Sequence, residues 1–168
     1  MRSKRDCLSQ ERRESAHKKG FSLISSLIQD KQLILSYSSF GSEFDMQMIN
    51  QLLAKGGRLT LPRMEKDHLK PYLVRNLHDC IKNRWGIDEP DPEKCVLADE
   101  LKIDAVLVPA ICFDSTSHRL GYGKGFYDKL LPQLKRARTI GIGYSEQLWE
   151  GPLPRGPLDH VLDEILLI

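Results

Sequence analysis

The ten residues RLGYGKGFYD, 119–128, set three glycines, two cations and a carboxylate in the order a phosphate site needs. Gly121, Gly123 and Gly125 leave the backbone bare, so its N–H groups can close on an anion that side chains would hold off. Arg119 and Lys124 add positive charge. Asp128, directly behind the loop, offers the hard oxygens that Mg²⁺ prefers. A strand ending at Phe113, the polar loop DSTSHR, the glycines and then a helix follow one another here. Open α/β sheets bind ligands at such carboxyl ends of strands, and a helix start adds free N–H groups and a positive dipole end. The stretch is not a Walker A loop, because G-x-x-x-x-G-K-[ST] is absent. Nor is it G-x-G-x-x-G, because residue 126 is Phe. Residue types alone leave two readings: a phosphate cradle, or a tight connection whose glycines serve turn geometry. Tyr122, Phe126 and Tyr127 are then pocket wall or core.

The surrounding sequence supplies the elements that must position this loop. Ser9 caps a helix with Glu11 in its first turn, and Ala16, Phe21, Leu23, Ile24, Leu27 and Ile28 form its stripe to about Gln29. QLILSY (32–37) reads as a buried strand. Ser42 caps a second helix, with Asp45 as acidic capping partner. Phe44, Met48, Ile49, Leu52 and Leu53 form its inner face, and Gly56-Gly57 ends it. RLTLP (58–62) and PYLVRN (71–76) read as strands, and NRWGIDEPDPEK (83–94) as an extended loop. AVLVPAICF (105–113) is apolar on both alternating faces, which predicts a sheet covered on both sides. Phe126, Tyr127, Leu130, Leu131 and Leu134 predict a helix that Pro132 ends or kinks near Leu131. RTIGIGY (138–144) is another strand, and HVLDEILLI ends the chain. Strands alternating with helices predict an α/β fold: a single domain with a mostly parallel sheet and helices on both faces, in Rossmann-like layers.

Composition narrows the class. With 168 residues, 40% hydrophobic and 29% charged, the chain has the balance of one soluble globular domain. No apolar run approaches the roughly 20 residues of a membrane span, and no secretory signal is visible. Cys7, Cys80, Cys95 and Cys112 form no CxxC pair, so reduced, mostly buried thiols in a cytoplasmic protein are expected. Residues 1–20 hold seven Lys/Arg against three acidic residues. Such an end meets phosphate or nucleic acid, or is the solvated face of a first helix. No aromatic residues interleave with these charges and no RNP- or KH-type sequence is present, so no nucleic-acid partner is expected.

VLVPAICFDSTSHRLGYGKGFYDKLL (106–131) resembles the signature of the 5-formyltetrahydrofolate cyclo-ligase family. Weaker echoes keep the family's order: SFGSEFDMQMI, LTLPRM, WGIDEP and LDHVLDEILL. The resemblance covers nearly the whole chain. It implies a monomeric enzyme that uses ATP and Mg²⁺ to convert 5-formyltetrahydrofolate into 5,10-methenyltetrahydrofolate, through a phosphorylated formyl group. It carries ATP binding onto Arg119, Leu120, Gly121, Tyr122, Gly123, Lys124, Gly125, Phe126 and Tyr127, with Arg119 and Lys124 holding the triphosphate. It carries metal binding onto Asp128 and Asp159. It carries folate contact onto Glu43, with Ser38, Tyr122, Phe126 and Trp85 as further candidates. Each has a bland alternative: Glu43 as a favoured carboxylate in a first helical turn, Asp159 as a cap.

Two features depart from the family pattern: PLDHV (157–161) has LD where the family usually has HD, with His160 after the aspartate, and the start of the chain differs. The family's basic K…LR element, which contacts ATP phosphates, precedes an LS.eeR stretch that here begins at Leu8 as LSQERR. Three readings follow: a start further upstream, substitution by Arg2, Lys4 and Arg5, or weakened nucleotide binding. The last admits a non-catalytic folate- or nucleotide-binding relative as the alternative function.

Overall fold

A computed structural model describes residues 2–168. Its helices are α1 (Arg2–Asp6), α2 (Gln10–Leu27), α3 (Gln47–Lys55) and α4 (Phe126–Leu130). Its strands are β1 (Ile34–Leu35), β2 (Leu59–Glu65), β3 (His68–Leu73), β4 (Cys80–Lys82), β5 (Asp88–Pro90) and β6 (Val96–Leu97). They continue as β7 (Ala105–Val108), β8 (Cys112–Asp114), β9 (Arg119–Leu120), β10 (Arg138–Gly143), β11 (Leu148–Trp149) and β12 (Glu164–Leu167). Among the described residues, seven strands form the main sheet in the order β12-β10-β7-β1-β2-β3-β6. The pairs from β12 to β2 are parallel, and β2-β3 and β3-β6 are antiparallel.

Alternating side chains of the central strands bury both faces of this sheet. Ile34, Leu59, Leu61, Leu107 and Ile140 pack with Ala16, Ile24 and Ile28, and with Ile49 and Leu53 of α3. On the other face Leu35, Val106 and Val108 pack with Leu130, Leu131 and Leu134. The α/β fold with helices on both faces is therefore as expected.

Several elements differ in detail. Ser9 does cap α2, accepting from the Arg12 N–H at 3.1 Å. Leu23, Met48 and Leu52, read as inner residues, are exposed, because close packing admits only the Ala16-Gly20-Ile24 and Ile49-Leu53 lines. Ser42 does not cap α3, which starts five residues later, because its hydroxyl is taken by Arg5 and Asp6. Asp45 instead accepts from the Gln47 N–H. The 83–94 segment is not a plain loop: its first part turns the β4-β5 hairpin. AVLVPAICF is two strands in two sheets, since Pro109 has no N–H for the ladder. Pro132 ends α4 in a 3₁₀ turn over Leu131–Gln133, as anticipated.

Gly141 of β10 lies under Phe113, where an added Cβ would sit 2.4 Å from a ring carbon and 2.9 Å from Ile165 and Leu162. Gly141→Ala is expected to cost about 1–3 kcal/mol by overpacking. Urea unfolding would show this as a lower midpoint at unchanged slope.

Candidate active site

The sheet order creates a crevice. From β1 the chain moves outward to β2, and it later returns on the other side of β1 as β7. The carboxyl ends of β1 and β7 thus form a topological switch point, where open α/β sheets hold ligands. The loop after β1 carries Ser38 and Glu43, and the chain after β7 leads through β8 and β9 to the glycines.

The glycine loop is held from below. β8 and β9 form a hairpin whose turn closes on Asp114, a buried carboxylate. It accepts from the Thr116 hydroxyl at 2.7 Å and from the N–H groups of Thr116, His118 and Leu153 at 2.9–3.1 Å. Burial alone would raise its pKa, but these donors outweigh burial and hold it well below the usual carboxylate range. A depressed folded-state value means stabilisation that is complete above the unfolded value of about 3.9 and lost as pH falls through the folded value. Asp114→Asn is therefore expected to lose about 2–3 kcal/mol at neutral pH. The difference from the parent should narrow as unfolding is measured at falling pH below about 4.

Gly123 and Gly125 adopt φ of +80° and +64°, the left-handed region that admits glycine without strain. Gly125 is the N-cap of α4. That helix has only five residues, so the loop's polarity comes from bare backbone and side-chain charge rather than from a long helix dipole. Lys124 is exposed and has no hydrogen bond or ion pair among the described residues. Tyr122 is 47% exposed, Phe126 is partly buried, and Tyr127 packs on the second core.

Arg119 turns inward. It donates to Asp128 Oδ1 at 2.5 Å and to the His160 carbonyl at 2.9 Å, and its side chain is 5% exposed. The His160 N–H also reaches Asp128 Oδ1, at 3.3 Å. Asp128 is thereby fixed beside the 157–160 segment, which brings the neighbouring Asp159 to the same region. Asp159 is exposed and accepts from the Gly156 N–H at 2.7 Å. Among the described residues no group of three or more His, Cys, Asp and Glu forms a closed metal cage. Mg²⁺ keeps waters and shares substrate phosphates, so it asks for fewer protein carboxylates than a closed cage.

Glu43 faces the glycine loop from the β1 side. It sits in a turn before α3 rather than in a helix, and it is 8% exposed. Oε2 accepts from the Phe40 N–H at 2.9 Å and Oε1 from the Tyr122 hydroxyl at 3.2 Å. Burial raises its pKa, opposed by the Phe40 N–H, Arg5 and Tyr122. Ser38 lies on the wall of an open cavity of about 860 Å³ beside this turn. Asn50 and Lys55 of α3, Arg75, and Lys82 and Asp88 of the hairpin also line it. Trp85 is at the hairpin tip, 46% exposed, with the Arg84 guanidinium 4.1 Å from its ring centroid.

The sequence reading left Arg5 as one of three N-terminal alternatives. Lys4 is exposed and the Arg2 side chain lies outside the described residues, but Arg5 is 1% exposed and sits in the crevice. Arg12 pairs with Glu146, and Arg13 donates to the carbonyls of Arg5 and Leu8, so much of the basic terminus is spent within the fold. No local signal separates Arg5 from its neighbours, because its partners are 37 to 117 residues away. All four cysteines are free thiols, but only Cys95 and Cys112 are buried: Cys7 is exposed on the surface and Cys80 is half-buried, where burial pushes its thiol up to about 12. No helix among the described residues is long and apolar enough to cross a membrane.

Comparison with known proteins agrees with this arrangement. The 5-formyltetrahydrofolate cyclo-ligase family model matches residues 1–168. The 5-formyltetrahydrofolate cyclo-ligase of Escherichia coli K12 is 32% identical over 132 residues, covering 70% of this chain and 72% of that one. A probable 5-formyltetrahydrofolate cyclo-ligase of Schizosaccharomyces pombe is 28% identical, over 71% of this chain and 65% of that one. The NMR structure of Aquifex aeolicus 5,10-methenyltetrahydrofolate synthetase superposes with a TM-score of 0.85 at 30% identity, covering 98% of this chain and 84% of that one. The synthetase structure from Mycoplasma pneumoniae gives a TM-score of 0.75 at 26% identity. With the glycine loop, the switch-point crevice and the sheet order all present, and the family model spanning every residue, this chain belongs to the 5-formyltetrahydrofolate cyclo-ligase family.

Proposed function

We infer that this chain converts 5-formyltetrahydrofolate and ATP into 5,10-methenyltetrahydrofolate, ADP and phosphate. The observation that supports the reading is the 3.2 Å contact between Tyr122 of the glycine loop and Glu43, which joins the loop we assign to ATP to the turn we assign to the folate. A formyl amide is a poor electrophile. Its oxygen attacks the γ-phosphorus, the bond to ADP breaks, and the formyl carbon becomes activated as an imidate phosphate. N10 then attacks that carbon, and the oxygen departs with phosphate. The protein's task is to align reactants and steady the moving charge.

The residues divide this work. The bare backbone of 121–125 and Lys124 hold the triphosphate. Arg119 orients Asp128 rather than meeting phosphate at full reach. Asp128 and Asp159 would hold Mg²⁺, which neutralises charge on phosphate oxygens when bound. Glu43 and Ser38 contact the folate, and Tyr122 and Phe126 wall the junction. The cavity beside Ser38 receives the distal, carboxylate-bearing end, for which Lys55 and Arg75 supply opposite charge. Trp85, on the hairpin that borders this cavity, is placed to cover the bound folate.

The test is direct. The purified chain is mixed with 5-formyltetrahydrofolate, ATP and Mg²⁺, and the absorbance of the methenyl product is followed. Product that requires both ATP and Mg²⁺ is the expected result. A folded chain that binds folate without ATP-dependent product would instead be the non-catalytic relative.

A further inference from the structure

Arg5 is a fully buried cation, yet no carboxylate lies within ion-pair distance of it among the described residues. Its three donor groups go to neutral partners: Nε to the Ser42 hydroxyl at 2.9 Å, Nη1 to the Ala110 carbonyl at 3.0 Å, and Nη2 to the Tyr122 hydroxyl at 2.9 Å. Burying a charge in this way is costly unless opposite charge is close. The nearest links to opposite charge run through those hydroxyls. Tyr122 passes to Glu43, and Ser42 passes to Asp6.

The direction of these bonds is fixed. A guanidinium only donates, so Tyr122 accepts from Arg5, and its hydroxyl in turn donates to Glu43 Oε1. A hydroxyl polarised by a cation is a stronger donor to a carboxylate. Arg5 also ties three segments together: the turn beside Glu43, the end of β7, and the glycine loop.

We propose that Arg5 is a positioning residue for Glu43, acting through the Tyr122 hydroxyl and Ser42 to hold the Glu43 carboxylate ionised and in place while it joins the glycine loop to the folate side of the crevice. The role in folate contact rests on the reading of Glu43 given above; the effect on the carboxylate does not. The groups facing Glu43 are Arg5 of α1, Tyr122 of the glycine loop, Tyr37 after β1 and Tyr127 of α4. Burial keeps both Tyr37 and Tyr127 neutral, so among the described residues Arg5 is the cation that brings opposite charge to Glu43.

The Glu43 carboxyl is titrated by carbon-detected NMR in the full chain, with Glu43→Gln identifying its signal. Tyr122→Phe and Arg5→Lys are compared with the parent. Tyr122 is half exposed, so its phenylalanine variant retains the fold. The expected result is a Glu43 midpoint raised by about one pH unit in Tyr122→Phe, since the loss of one charge-assisted donor is worth about that much. Arg5→Lys should raise it less, because one ammonium keeps the charge but not the three-way geometry. In the cyclo-ligase assay at saturating ATP, the acid limb of kcat/KM for the folate should move with the carboxyl. An unmoved carboxyl in both variants overturns the proposal whatever the assay shows. A carboxyl that moves while Glu43→Gln leaves folate KM unchanged would instead remove Glu43 from the folate site and leave the Arg5 relay standing.

Discussion

Asp128→Asn is expected to reduce methenyl product formation by about 10³-fold, or roughly 4 kcal/mol of barrier, while the chain stays folded. The structural reason is that asparagine keeps an oxygen where Asp128 Oδ1 now accepts from Arg119 and the His160 N–H. The local hydrogen-bond frame therefore survives and only the negative charge goes. A neutral amide is a poor ligand for Mg²⁺, and the Arg119 guanidinium beside it loses its counter-charge. The chain should stay folded at assay temperature but unfold at a lower temperature than the parent, because the nearly buried Arg119 guanidinium is left without its counter-charge. Raising Mg²⁺ should recover part of the rate, because weakened metal affinity responds to concentration. A rate within a few-fold of the parent at low Mg²⁺ would remove Asp128 from the metal site.

Lys124→Ala is the second large effect. Lys124 is the exposed cation of the glycine loop, and no partner within the described protein competes for it. Its own backbone is not in the left-handed region, so alanine leaves the loop's path unchanged. Removing a charge aimed at developing phosphoryl charge costs about 10²–10³-fold. The loss should fall on kcat and on kcat/KM for ATP, with KM for the folate almost unmoved. A loss confined to the folate KM would instead place Lys124 on the other side of the crevice. The equivalent change at Arg119 would be harder to interpret, since that guanidinium braces Asp128 and the 157–160 segment. Its removal would disturb Asp128, the proposed metal ligand, along with any charge on phosphate.

The 119–128 segment was legible from sequence because its chemistry is local. Glycine spacing, a lysine and an aspartate lie within ten residues, and backbone conformation there follows from residue type. The sheet was legible for a similar reason: apolar runs on both faces of a strand demand cover on both sides, and the two packed clusters provide it. Pro132 likewise ended α4 by its missing donor alone.

Other features depended on contacts that no local pattern carries. Ser42 has the type and position of a helix cap, but its hydroxyl is engaged by Arg5 and Asp6, and α3 begins later. Arg119 has the type of a phosphate ligand, but two of its guanidinium nitrogens donate to Asp128 and the His160 carbonyl. Arg5 is one basic residue among many until α1 folds over the crevice and buries it. The sequence by itself determined the sheet's layering, the bare glycine loop and the family. Tertiary structure alone decided which cations stay free and which are consumed, because a buried guanidinium or hydroxyl must satisfy its donors with whatever the fold brings near, regardless of distance along the chain.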